Sequence, residues 1–113
     1  LASRFLRPLP DMKSINVTLE SMTVNGEEVP LLSADLVVVR RPESDRLDWE
    51  CVAFTLLMDP FPQEPVFLEM VDVVESRTLS GDALVVRSDQ NRHVFRGGGD
   101  LSGLTPADGL EPN

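Results

Sequence analysis

Apolar and polar residues alternate along most of the chain with the two-residue period of a β-strand. In INVTLESMTV, residues 15 to 24, Ile15, Val17 and Leu19 alternate with Asn16, Thr18 and Glu20. The apolar parity then moves to Met22 and Val24, which predicts a bulge near Glu20 and Ser21. Asn25-Gly26 follows. Both central residues of a type I′ turn need positive φ, so this pair between two apolar runs predicts a hairpin. Residues 27 to 41 are expected to return as the second strand. Its end, Val37-Val38-Val39, is β-branched and suits a pleated sheet better than a helix. A polar connection from Pro42 to Leu47 leads to a third strand over residues 48 to 57. There Asp48 and Glu50 face one way, and Trp49 and Cys51 the other. DPFPQEP, residues 59 to 65, holds three prolines and is expected to be a loop.

Residues 66 to 76, VFLEMVDVVES, carry two patterns. Glu69, Asp72 and Glu75 recur at helical spacing, and Pro65 would suit the first turn of a helix. Val66, Phe67, Val71, Val73 and Val74 favour a strand, and a strand is preferred. A turn is expected at Ser80-Gly81-Asp82, then a strand at 83 to 88, a polar turn from Asp89 to Arg92, and a short strand HVFR. Gly97 to Gly99 mark the end of the predictable order, and TPADGLEPN is expected to be turn-like or loose.

One phrase occurs twice. LSADLVVVR, residues 32 to 40, returns as LSGDALVVR, residues 79 to 87, with six of nine positions identical. Leu19-Glu20 matches Leu68-Glu69 once a two-residue deletion is allowed. Around each copy the order is strand, turn, long strand, polar connection, strand. Convergence of simple strand sequences would give the same echo as duplication, and the fold prediction depends on neither. A single three-stranded meander cannot cover its own apolar face, whereas two can. The prediction is an all-β domain over residues 14–104, a small six-stranded barrel or two-sheet sandwich built from two similar three-stranded meanders. An extended N-terminal arm (1–13) precedes it and a tail (105–113) follows.

Composition narrows the function. A chain of 113 residues suits one core. Its net charge of −9 repels phosphate, so neither nucleic acid nor an anionic membrane is expected as a partner. No apolar run is long enough for a spanning helix, and LASRFLRPLP does not have the form of a secretory leader. The opening Leu suggests a processed or excised chain. The lone Cys51 cannot form an internal disulfide and sits in the apolar run WECVAF. A buried, inert thiol in a reducing, cytoplasmic setting is expected.

A catalytic set is not visible. Any Ser-His or Cys-His arrangement must use His93, the only histidine, and no nucleophile elbow lies near it. His93 is expected at the surface, among the solvated arginines Arg87, Arg92 and Arg96. One His and one Cys are too few for a zinc site, and the acidic residues lack calcium-loop spacing, so Glu69, Asp72 and Glu75 are expected to be a solvated face. A pair of glycosidase carboxylates would need a sugar cleft for which so short a chain leaves little room. RGGGDLSGL precedes no helix and is taken as a flexible or bulged exit, not a phosphate cradle. Arg40-Arg41 resembles the arginine pairs of small bacterial regulatory barrels that bind a cyclic dinucleotide. Those pairs precede the first strand, whereas these end a strand, and that activity is not carried over. No catalytic residue, cofactor or metal ligand is therefore assigned.

What remains is recognition. Phe5, Leu6 and Leu9, flanked by Pro8 and Pro10, carry apolar side chains outside any core element. They are the candidate partner-binding residues, to be packed on a neighbouring copy, on another protein, or back across their own barrel. The expected function is a non-enzymatic protein-binding or self-assembling β module, an assembly component or adaptor that forms a homo-oligomer. The alternative is a small-ligand or metal-binding β-barrel whose mouth is lined by Asp48, Glu50 and neighbouring arginines.

Overall fold

The computed structural model describes residues 13–41 and 46–110. Seven strands form: β1 (Lys13–Val24), β2 (Glu27–Glu28), β3 (Leu31–Arg40), β4 (Leu47–Thr55), β5 (Pro65–Asp72), β6 (Thr78–Ser88) and β7 (Arg92–Gly97). A single 3₁₀ turn, η1 (Pro106–Asp108), follows. All pairings are antiparallel, in the order β1-β3-β4-β7-β6-β5. β5 pairs back onto β1, which closes a six-stranded barrel, and β2 is a short extra strand on β1. The two meanders are β1-β3-β4 and β5-β6-β7, as predicted, and they close as a barrel.

Local chemistry explains the elements. Asn25 and Gly26 take φ of 51° and 85°, the signature of the primed turn. The register of β1 against β5 shifts between Leu19 and Ser21, where the parity change predicted a bulge. Residues Pro65–Asp72 are a strand, with Val66, Leu68 and Met70 buried at every second position. The helical spacing of the acidic residues is incidental.

Three expectations need correction. The second strand does not run unbroken from residue 27. It stops at Glu28 and restarts at Leu31, because Pro30 has no N–H to donate to a ladder. No turn forms at Ser80-Gly81-Asp82, since β6 runs straight through, and the turn lies earlier, at Val73–Glu75. Gly81 is small for space: a Cβ there would come within 2.8 Å of the Asp100 carbonyl oxygen and 3.0 Å of the Trp49 ring. Finally, order does not end at the glycines. Ser102 and Ser80 exchange backbone hydrogen bonds of 2.7 and 3.0 Å, and Leu101 and Leu110 are buried in the core.

The sequence echo is now legible as geometry. Its two copies lie in β3 and β6, the middle strands of the two meanders. Leu36 faces Val17 in one half, and Ala83 faces Val66 in the other. The ladders thus reproduce the alignment given by the echo, two-residue deletion included. Val38 faces Trp49, and its counterpart Val85 faces Phe95. Even the junction obeys the pseudo-two-fold relation: the pair Ser21–Val71 maps onto the pair Met70–Met22. The core is one cluster, in which Trp49, Phe95, Met22, Leu36, Leu68 and Met70 are among the largest fully buried apolar side chains.

Candidate functional site

The predicted binding residues Phe5, Leu6 and Leu9 lie outside the described residues. The proposed mouth of Asp48 and Glu50 does not form. Both point outward from β4, opposite in sense to Trp49 and Cys51, which fill the barrel. Asp48 pairs with Arg41, and Glu50 is buried beside Arg96 on the neighbouring strand.

His93 is not a surface residue. It is fully buried (0% exposed), because β7 turns it to the same side as Phe95. Its Nε2 lies 3.0 Å from Thr55 Oγ1 and its Nδ1 2.7 Å from Ser88 Oγ. The Phe61 ring meets the imidazole edge-on, with centroids 5.1 Å apart, and the Phe61 N–H donates to Ser88 Oγ at 2.8 Å. Burial holds the His93 pKa below its ordinary value, against the opposing charge of Asp89. A serine in contact with an imidazole has the look of an activated nucleophile. Here the far nitrogen meets a hydroxyl and not a carboxylate, and the ring is sealed from solvent. The group is a latch that ties the loop before β5 to β4, β6 and β7. Cys51 is equally inert: burial, then the charges of Asp35 and Glu50, push its thiol up to about 12.

Two features face outward. The first is a split in the barrel wall. β1 is flanked by β3 along Lys13–Thr18, but β5 pairs with β1 only from Leu19 onward. The Val73 N–H donates to the Thr18 carbonyl at 3.0 Å and marks where the wall closes. Beyond it a groove of about 340 Å³ opens, with Ile15 to Thr18 on one side and Asp72, Val74, Arg77 and Asp108 on the other. The far wall is cross-linked by ion pairs and hydrogen bonds. The Arg77 guanidinium meets Asp72 at 3.2 Å, Asp108 at 2.7 Å and Glu75 at 3.7 Å. Asp72 also accepts from the N–H groups of Val74 (2.8 Å) and Glu75 (3.4 Å), and Asp108 accepts from the Thr105 N–H at 2.7 Å. Burial raises the Asp72 carboxyl, but these backbone donors and Arg77 outweigh it and hold it below the usual range. Arg77 holds Asp108 low against a smaller effect of burial, and Asp108 in turn raises the guanidinium.

The second feature is an apolar end. β3 begins where β4 finishes, with Leu31 facing Thr55 and Ser33 facing Phe54. A register shift between Leu31 and Ser33 turns Leu32 outward, although its counterpart Leu79 is buried. Leu32 (64% exposed), Phe54 (38%), Leu56 (66%) and Leu57 (75%) therefore cluster at one end. Neither feature was assigned from the sequence. The split had a signal, since the parity change at Glu20 marks where β1 changes partners. Leu32 gave none, because the echo places it with a core residue.

The chain matches no protein-family model, no curated protein and no solved structure. Among the described residues no helix is long and apolar enough to cross a membrane, and no cluster of His, Cys, Asp or Glu is placed to hold a metal ion.

Proposed function

We propose that this chain is a non-enzymatic protein-binding β-barrel, an assembly component or adaptor that also associates with itself. The observation that carries the reading is the apolar end formed by Leu32, Phe54, Leu56 and Leu57. Large apolar side chains gathered at one exposed end are a usual mark of a protein contact, and three of these four are 64% or more exposed. The net charge of −9 favours protein over nucleic acid or anionic lipid as the partner class. The single thiol, without a disulfide, supports a reducing, cytoplasmic setting.

The test is differential capture. The full chain and its Leu56→Asp/Leu57→Asp variant are used as baits in an extract of the source cells, with bound proteins quantified. Both substitutions fall at exposed positions, so the barrel persists. Proteins held by the native chain and lost by the variant support the reading. Identical capture by the two baits rejects it.

A further inference from the structure

We propose that the split beside β1 is a strand-acceptor slot, and that its occupant is the N-terminal arm of a second copy of this chain. The inference rests on the protein-binding reading above and names both a partner and a contact.

The slot has an open backbone edge. In a strand, the N–H and C=O of one residue point the same way and alternate in sense with the next. The Thr18 carbonyl points into the split, where it accepts from Val73. The backbone groups of Asn16 and Ser14 therefore point there too, and among the described residues no strand pairs with them on that side. An edge of this kind is a template for one more strand. Natural edges are blunted by charge or proline, whereas this one presents Ser14, Asn16 and Thr18.

Charge selects the occupant. The slot wall carries Asp72, Glu75 and Asp108 against Arg77 alone. The twelve residues before β1 carry Arg4 and Arg7 against Asp11, a basic segment on a chain of net charge −9. They also supply Phe5, Leu6 and Leu9, which suit a half-apolar cleft containing Ile15, Val17 and Val74.

Direction selects the second copy. The arm joins the barrel at Lys13, at the open end of the slot, and β1 runs inward from there. To enter its own slot the arm would have to reverse between residues 9 and 13. Pro10 fixes φ near −65°, which the primed two-residue hairpin turns do not accept at their first position. Pro8 and Pro10 also bias the residues before them toward extended backbone. With that reversal disfavoured, the slot of a neighbouring copy is the one the arm would enter, and the two copies would exchange arms across a two-fold interface.

The experiment is the solution mass of the full chain by analytical ultracentrifugation at about physiological salt, with near-ultraviolet dichroism of Trp49 as the check on folding. The native chain is expected to be a dimer. Asn16→Pro removes an N–H that points into the slot and not toward β3, and is expected to give a folded monomer. Asn16→Ala keeps that N–H and the dimer. Arg4→Glu/Arg7→Glu lies outside the barrel and decides the matter if Asn16→Pro fails to fold; it is expected to raise the dimer dissociation constant about tenfold or more. A native monomer overturns the inference, and so does a dimer unaffected by both the arm and slot variants. A dimer broken only by Leu56→Asp/Leu57→Asp also overturns it, while leaving the apolar-end reading intact.

Discussion

At the scale of single residues, the core is decided by contacts that a sequence states only as letters. Trp49 lies flat against Gly97, and its indole N–H donates to the Gly99 carbonyl at 3.1 Å. Any Cβ at Gly97 would collide with the indole ring. Gly97→Ala should therefore destabilise the barrel by about 1 to 3 kcal/mol in urea unfolding, as overpacking does. Gly99→Ala is the control, since nothing lies near its would-be Cβ; a change there as large as at Gly97 would contradict the steric account. His93 gives a pH dependence with a definite sign. Its folded pKa lies below the ordinary 6.5, because burial disfavours the cation. Below pH 6.5 the unfolded chain takes up a proton that the folded chain resists, so stability falls as the pH drops from 6.5 toward the folded pKa. Above 6.5 this contribution is complete and flat. Urea midpoints at pH 7.5 and 5.5 should show the loss, and a His93→Gln chain should not.

At the scale of elements, legibility followed the length over which each signal acts. Turns and bulges are local, so Asn25-Gly26 and the break at Glu20 were readable from a few neighbours. Gly81 was misread as a turn because its reason, Trp49 and Asp100, lies on other parts of the chain. His93 was misplaced for the same cause: its flanking arginines indicate solvent, whereas Thr55, Ser88 and Phe61 enclose it. Arg77 is the clearest long-range organiser, since it pins the β5–β6 turn to η1 through Asp72 and Asp108. Arg77→Met leaves two carboxylates facing each other in a half-buried wall, and should cost about 2 to 3 kcal/mol near neutral pH. Both carboxyls have folded pKa values below 3.8. Their contribution is complete above that value and fades as the pH falls through it, so the deficit of the variant should shrink in acid. A deficit that stays constant down to pH 3 would show that Arg77 acts through packing and not through charge.

At the scale of the molecule, the two meanders are alike in backbone and unlike where they meet. The echo made the likeness visible, but the junction depends on which half supplies which side chain. Glu50 of β4 lies opposite Arg96 of β7, and Cys51 lies opposite Phe95. The pseudo-two-fold relation makes Cys51 the counterpart of Gly97, and Glu50 the counterpart of Arg96. If the first meander paired with itself through β4, Glu50 would meet a second Glu50. Trp49 would then meet the side chain of Cys51 in place of the bare backbone of Gly97. Like charge and overlap both oppose that pairing. The halves are therefore complementary and not interchangeable, and a chain cut between Leu57 and Met58 should reassemble. Residues 1–57 alone should lack the near-ultraviolet dichroism of a fixed Trp49, and residues 58–113 alone should lack cooperative unfolding. Mixed in equal amounts, they should recover the tryptophan signal and a single urea transition. An Arg96→Glu second half should recover far less, because it restores the like-charge contact that the native junction avoids. If the first half alone gave the full tryptophan signal, the junction would not be what orders Trp49, and the asymmetry of Gly97 and Cys51 would have no energetic role.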